Sequence, residues 1–173
     1  QRQMCIRDRF SGTWEQIWGE DRIVENNYHE MTIRVQKTSA PKRKFNVVFR
    51  LFNDGFGFRY EFPEQEALKD FVIMDELTEF ALTGDHKAWS IPYEAHFYEA
   101  LYEASPVSKL GWVSTPLTME TNDGLFLSIH EANLTDYAAM NLIPKEGSMT
   151  LKANLTPWST GEKVFMKAPG VTP

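Results

Sequence analysis

Hydrophobic and polar side chains alternate along several short stretches of this chain, as they do in half-buried β-strands. Met31, Ile33 and Val35 alternate with polar residues, and residues 149–155 repeat the same pattern. Stretches rich in Gly, Pro, Asn and Asp separate these runs, and little of the chain shows a helical period. Short strands that recur between turns predict an all-β fold, an antiparallel β-sandwich.

The segment from Phe45 to Phe62 is predicted to be a β-hairpin. Apolar residues occupy alternate positions on both sides of Asn53-Asp-Gly55, and Asn-Asp-Gly favours a tight turn because glycine readily adopts positive φ. Arg50 and Arg59 fall on the less apolar face of this hairpin. Pairing with acids is their expected use, and binding an anionic group is the alternative.

A second hairpin is predicted around Asn122-Asp-Gly124, within the stretch TPLTMETNDGLFLSIHEANLTDYAAM that spans residues 115–140. Side chains alternate between the two faces of a strand, so Glu131 continues a row of three apolar residues after this turn. An unpaired buried charge is costly. We therefore expect Glu131 either at the rim of a sheet or beside a partner.

Two further segments are expected to contribute helix-like packing. Asn133 is suited to cap a short helix from Leu134 towards Met140. The aromatic residues within 93–102 have a spacing that admits a helical packing stripe, and lining a sugar site is the alternative. Packing is also the favoured interpretation of Trp14 and Trp18, with sugar stacking as the alternative.

Composition narrows the possible functions. The chain has 173 residues, one cysteine and a net charge of −6, so it is long enough for one domain with a real core and has no internal disulfide. The acidic balance argues against nucleic acid as a partner. No apolar run approaches the ~18–20 residues of a transmembrane helix, so no membrane span is expected.

The residues that commonly carry catalytic or metal chemistry show no recognisable spacing. Asp75, Glu76 and Glu79 would line a strand predicted over 71–80, with Glu76 on the opposite face from the other two, so a solvated face is expected. The four histidines form no H-x-H or H-E-x-x-H motif and are expected to be surface or capping residues; they are His29, His86, His96 and His130.

Several of these segments resemble the N-terminal domain of glycoside hydrolase family 97, the calcium-dependent α-glucosidases and α-galactosidases. The matching segments are WEQIWGE at 14–20, NYHE at 27–30, FRLFNDGFGFRY at 49–60 and the stretch at 115–140. The resemblance implies a galactose mutarotase-like super-sandwich. It also implies that Glu131 is a calcium ligand and that Ser114 and Thr115 contact the substrate, although the family pattern favours an Asn-like residue where Ser114 stands.

The resemblance further implies the setting in which the domain works. The substrate would be an α-linked oligosaccharide, and the partner would be the protein's own catalytic barrel, which carries both catalytic carboxylates and completes the calcium site. A bacterial periplasmic or secreted location follows from the same resemblance.

The resemblance covers residues 11–173 as a partial domain, truncated at both ends, and residues 1–10 are interpreted as a non-native leader without function, Cys5 included. A polypeptide without the barrel is expected to be inactive. Three other functions stay open: a stand-alone carbohydrate-binding sandwich, a purely structural interaction domain, and a mutarotase-like sugar epimerase, which would need a converging His/Glu acid–base pair.

Overall fold

A computed structural model describes residues 2–95 and 97–173 of the chain, with side chains from residue 8 onwards. Contacts between Cα atoms divide it into two compact units. Residues up to Phe71 together with Met166–Pro173 form the first unit, and Val72–Phe165 form the second.

Almost all of the regular structure in the described residues is β-strand, with one 3-10 helix at Val107–Lys109. The strands in chain order are β1 Arg2–Phe10, β2 Thr13–Glu15, β3 Ile23–Glu25, β4 Tyr28–Gln36, β5 Lys44–Leu51, β6 Phe56–Phe62, β7 Asp70–Ile73, β8 Glu79–Ala81, β9 Lys87–Ser90, β10 Glu103–Pro106, β11 Val113–Ser114, β12 Leu117–Glu120, β13 Phe126–Ile129, β14 Met140–Pro144, β15 Thr150–Leu155, β16 Val164–Lys167 and β17 Gly170–Val171. The prediction of an all-β chain is confirmed.

The first unit contains a five-stranded antiparallel sheet in the order β1-β4-β5-β6-β17. The predicted hairpin is β5–β6, in which Phe49 lies opposite Phe58 and Val47 opposite Tyr60. Rings from the two strands contact each other, with the centroids of Phe49 and Phe58 5.9 Å apart. The alternating pattern therefore predicted both the hairpin and its aromatic face.

Residues 2–10 of the segment interpreted as a leader form β1, which pairs with β4 from Arg2 to Phe10. Their strand conformation says nothing about the origin of the sequence, so the non-native leader stays a prediction. The side chain of Cys5 lies outside the described part of the structure.

The second unit is a β-sandwich. One four-stranded sheet has the order β10-β9-β12-β13 and the other has the order β11-β14-β15-β8, and all pairs are antiparallel. Both sheets contribute to one core whose side chains are at most 2% exposed: Ala88, Leu117 and Met119 from the first sheet, and Val113, Leu142 and Leu151 from the second. Shared burial between two sheets confirms the predicted sandwich.

The helix predicted from Leu134 to Met140 is absent, and this prediction was wrong. Residues 130–139 form bends and irregular backbone instead. The Asn133 side chain accepts a hydrogen bond from the Thr135 hydroxyl at 3.4 Å rather than capping a helix, and Asp136 has a φ of 49°, in the left-handed region. A helix this short is stable only with support from tertiary contacts. The backbone N–H of Met140 instead donates to the Glu131 side chain, so it is not available for a helical hydrogen bond.

The aromatic segment 93–102 also differs from its prediction, because it contains no helix in its described residues. Tyr98 is 75% exposed and Tyr102 57% exposed, so neither packs in a core. Trp14 and Trp18 are likewise 50% and 85% exposed, against the packing role expected for them. Within the described residues, no helix has the length and apolar character that a membrane crossing requires.

Candidate functional site

Glu131 lies two residues beyond the end of β13, where the chain leaves the sheet. Leu127 and Ile129 of that strand pair with the buried Met119 and Leu117, so the row that leads to Glu131 lies on their face of the sheet, with Leu127 39% exposed and Leu125 61% exposed. The Glu131 side chain is partly buried. Its Oε1 atom accepts a hydrogen bond from the backbone N–H of Met140, the first residue of β14, at 2.9 Å.

Thr115 and Glu131 both form hydrogen bonds with the backbone of Met140. The Thr115 hydroxyl donates to the carbonyl oxygen of Met140 at 3.0 Å, and it also lies near enough to the Glu131 carboxylate to lower the pKa of that group. Two of the three predicted site residues therefore converge on Met140.

Ser114 immediately precedes Thr115 in the chain, but its neighbours on the adjacent strands are different residues. It lies in β11 opposite Asn141 of β14, and Asn141 lies opposite Asn154 of β15. Asn154 Nδ2 donates to Asn141 Oδ1 at 3.0 Å, and the buried Asn141 Nδ2 has no hydrogen-bond partner in the described structure. Ser114 thus borders a buried polar row rather than contacting Glu131 through Met140.

The charge of Glu131 is disfavoured by its surroundings. Burial is the largest influence and raises the pKa of Glu131, and the negative charge of Glu76 raises it further. The Met140 N–H and the Thr115 hydroxyl oppose this shift without cancelling it. No Lys or Arg side chain among the described ones forms an ion pair with either glutamate.

Glu76 is the acid that sequence reasoning placed on a solvated face. Its carboxylate instead accepts two hydrogen bonds, from the Thr78 hydroxyl at 2.7 Å and from the Tyr137 hydroxyl at 2.9 Å. The predicted strand over 71–80 is also interrupted, because residues 74–78 lie between β7 and β8. Tyr137 is 61 residues away in sequence, so no local spacing signals this contact.

The other two acids of that segment behave as predicted for a solvated face. Asp75 pairs with Lys152 at 3.3 Å and with Lys163 at 3.1 Å, and Glu79 pairs with Lys145 at 3.0 Å. Their charges are compensated, which leaves Glu76 and Glu131 as the pair without a described cation.

The three described histidines do not build an acid–base site with these carboxylates. His130 is exposed, and its Nδ1 atom lies 3.2 Å from the backbone carbonyl oxygen of Glu131. His86 is buried, and its Nε2 atom lies 3.2 Å from the Thr83 hydroxyl. His29 is exposed in β4, and His96 lies outside the described residues.

A complete metal site is not formed by the described residues, since no three His, Cys, Asp or Glu side chains converge. Calcium takes 6–8 oxygen ligands, among which carboxylates are common. Glu131 suits a partial contribution to such a site: its carboxylate is oriented by Met140, partly buried and not neutralised by a described cation. The remaining ligands would have to come from elsewhere.

Comparisons with known proteins place the chain in a family. Residues 5–168 match the family model described as Glycosyl-hydrolase 97 N-terminal. The retaining alpha-galactosidase of Bacteroides thetaiotaomicron is 27% identical over 150 residues, which cover 78% of this chain and 21% of that protein.

Solved structures give the same result. A glycoside hydrolase family 97 enzyme from Pseudoalteromonas sp. strain K8, in complex with acarbose, is 37% identical with a TM-score of 0.90, over 100% of this chain and 26% of that one. A beta-arabinopyranosidase with 18% identity and a TM-score of 0.83 shares the fold. The chain spans about a quarter of the length of these relatives, and it belongs to the N-terminal domain family of glycoside hydrolase family 97.

Proposed function

We propose that this chain is the calcium-contributing, cleft-forming part of an exo-acting α-glycosidase. In this proposal the longer protein hydrolyses α-linked oligosaccharides on a catalytic barrel that lies outside the chain. The relatives named above support this assignment, because one is a retaining alpha-galactosidase and another is a family 97 enzyme in complex with acarbose.

The observation that carries the proposal is the state of the Glu131 carboxylate. Asp75 and Glu79, two more exposed acids of the same unit, are each paired with a lysine. Glu131 is partly buried and has no such partner among the described side chains. Burial raises its pKa, and its negative charge is left to be compensated. A divalent cation shared with the barrel would compensate it.

The residues of this chain have distinct roles in the proposal. Glu131 would ligate the ion, and the backbone N–H of Met140 would hold its carboxylate in place. Thr115, which bonds the Met140 carbonyl, and Ser114 beside it would form part of the cleft wall. When bound, calcium would supply a Lewis acid and a link between two domains. The chain itself carries no catalytic carboxylate in this proposal and is inactive alone.

The proposal is tested in the full-length native protein by Glu131→Gln, with Glu79→Gln as the matched control. Glu79 is an acid of the same unit whose charge is compensated by Lys145. We expect Glu131→Gln to raise the calcium concentration needed for half-maximal hydrolysis of p-nitrophenyl α-galactoside or α-glucoside by roughly 10–100-fold, the range seen when residues that support a metal site are replaced. Glu79→Gln should leave it unchanged.

Unchanged turnover and unchanged calcium dependence of the Glu131→Gln protein would reject the role of Glu131. A separate assay of the 173-residue chain with both substrates tests its proposed inactivity, and measurable hydrolysis would contradict it.

We also propose that the full-length protein works in the bacterial periplasm or outside the cell, as the family resemblance implies. Release of the native protein by osmotic shock, or its presence in the medium, checks this. Retention with cytoplasmic markers would exclude it.

A further inference from the structure

The segment that carries Glu131 is a loop closed at its base and fixed at one interior point. Residues 130–139 run from the end of β13 to the start of β14 without regular structure. The Glu131 carboxylate closes the loop by accepting the Met140 N–H, nine residues further along the chain. Residues 132–136 are exposed, whereas Tyr137 is partly buried.

Tyr137 ties this loop to the second sheet of the sandwich. Its hydroxyl donates to Glu76 Oε2 at 2.9 Å, while the Thr78 hydroxyl donates to Glu76 Oε1 at 2.7 Å. The backbone carbonyl of Thr78 in turn accepts a hydrogen bond from the N–H of Ala153 in β15 at 2.9 Å. The Tyr137 hydroxyl is therefore bound to a carboxylate that is itself held against a buried strand.

Glu76 also brings a second negative charge near Glu131. Both of its carboxylate oxygens accept hydroxyl hydrogen bonds, and no described Lys or Arg side chain forms an ion pair with it. Two like charges near each other in a partly buried place repel, and this repulsion is relieved when a cation binds to one of them. Glu76 need not touch the cation to strengthen its binding.

We infer that Glu76 and Tyr137 are positioning residues for the cation site at Glu131: Tyr137 holds the Glu131 loop in place, and Glu76 anchors Tyr137 and adds negative charge. This inference rests on the proposed function of Glu131. It extends the site to two residues that do not ligate the ion.

The two roles are separated by two variants of the full-length protein. Tyr137→Phe removes the hydroxyl but keeps the charge of Glu76, and Glu76→Gln removes the charge but keeps an oxygen that can accept a hydrogen bond. Controls are Glu79→Gln for the charge and Tyr98→Phe for the hydroxyl, since Tyr98 is 75% exposed. Calcium itself is the probe, titrated back after chelation, with activity and isothermal titration calorimetry as readouts.

We expect each variant to weaken calcium binding about tenfold, in the range seen when residues that orient metal ligands are replaced. The loss caused by Glu76→Gln should shrink at high salt, because it is electrostatic, whereas the loss caused by Tyr137→Phe should persist. In the calcium-free 173-residue chain, Tyr137→Phe should also speed hydrogen exchange of the Met140 amide about tenfold, because the loop that closes over it is loosened.

The outcomes distinguish this inference from the proposed function. If both variants bind calcium like their controls while Glu131→Gln binds it weakly, the positioning role is overturned and the role of Glu131 stands. If Glu131→Gln also binds calcium normally, the proposed function fails. Unchanged exchange of the Met140 amide in Tyr137→Phe overturns the loop-holding role whatever the calcium result.

Discussion

Two hairpins of this chain have the same turn sequence, Asn-Asp-Gly, but they differ in whether the charge of a nearby acid is compensated by a cationic side chain. Beside the β5–β6 hairpin, Glu30 accepts a hydrogen bond from Arg50 Nε at 2.8 Å, and the Arg50 guanidinium also lies 4.5 Å from the centroid of the Tyr28 ring. Within β6, Arg59 and Glu61 form a second pair at 2.7 Å. After the β12–β13 hairpin, Glu131 is partly buried with no described cation beside it.

Glu30 and Glu131 therefore illustrate two roles of a partly buried acid: one is paired within the sheet, and the other has no described cationic partner. Glu30 is 30% exposed, so its burial is comparable in kind to that of Glu131, but its charge is balanced within the sheet. Glu131 receives a backbone N–H, a nearby hydroxyl and a second carboxylate as neighbours. Glu30, whose charge is compensated by Arg50, stabilises the fold. The uncompensated charge of Glu131 destabilises the calcium-free fold, and a bound cation would remove that destabilisation.

Replacing Arg50, the cationic partner of Glu30, should produce the largest effect on stability. Arg50→Ala leaves Glu30 partly buried and unpaired, and also removes the contact with Tyr28. We expect a loss of about 1–2 kcal/mol in the free energy of unfolding, less than for a fully buried pair because both side chains are about one-third exposed. Urea denaturation of the 173-residue chain measures it.

The control is Lys145→Ala, which breaks the more exposed pair with Glu79. Its expected cost is below about 0.5 kcal/mol. Equal losses in the two variants would show that the pairing of Glu30 is no more important than a surface contact. Adding Glu30→Gln to Arg50→Ala should recover part of the lost stability, since the unpaired charge is then gone.

The sheets were predictable because their signals are local. The β5–β6 hairpin follows from alternating side chains on both sides of Asn53-Asp-Gly55, and the pairing of Arg50 with an acid follows from its place on the less apolar face. The row that leads to Glu131 was predictable for the same reason, because side-chain parity in a strand needs no knowledge of the rest of the fold.

The surroundings of Glu131 were not predictable from such signals. Residues 134–140 were expected to be helical, but local preference lost to contacts made at both ends of the loop: the Glu131 carboxylate bound to Met140, and the Tyr137 hydroxyl bound to Glu76. Glu76 and Tyr137 lie 61 residues apart. Strand parity separated Glu76 from Asp75 and Glu79, and it could not anticipate that the strand is interrupted there.

Replacing Glu131, the acid without a described cationic partner, by a neutral glutamine should stabilise the calcium-free chain. Burial and Glu76 raise the pKa of Glu131 in the folded state, so folding disfavours its ionised form. This destabilisation is fully present above the folded-state pKa and disappears as the pH falls through that pKa towards the ordinary value. Glu131→Gln should therefore raise the free energy of unfolding at pH 7 by on the order of 1 kcal/mol, and the gain should vanish near pH 4.

Thermal unfolding of the 173-residue chain in the presence of a chelator, at pH 7 and at pH 4, measures this gain. Glu79→Gln serves again as the control and should not stabilise the chain, because its charge is paired with Lys145. A lower melting temperature of Glu131→Gln at pH 7 would mean that the ionised carboxylate stabilises the loop, contrary to the contrast with Glu30.

The smallest effect is expected at Asp75, whose pH dependence should have the opposite sign. Desolvation by its slight burial raises the pKa of Asp75, but hydrogen bonds and charge from Lys163 and Lys152 outweigh it and lower the pKa overall. The stabilisation is therefore present above the ordinary pKa and is lost as the pH falls through the lowered value. Because Asp75 is 42% exposed, we expect Asp75→Asn to cost only about 0.3–0.5 kcal/mol at pH 7, less in high salt, and nothing near pH 2.

The Asp75→Asn variant keeps the side-chain oxygen that accepts the N–H of Glu76 at 3.0 Å, so the change removes charge without removing that hydrogen bond. Asp70→Asn is the control, since its contact with Lys167 is 3.8 Å long and both side chains are more than 70% exposed. Denaturation curves of both variants at several pH values provide the measurement. The quantity to compare is the stability of each variant minus that of the unsubstituted chain at the same pH. If these two differences change in the same direction with pH, the distinction between compensated and uncompensated acids is contradicted.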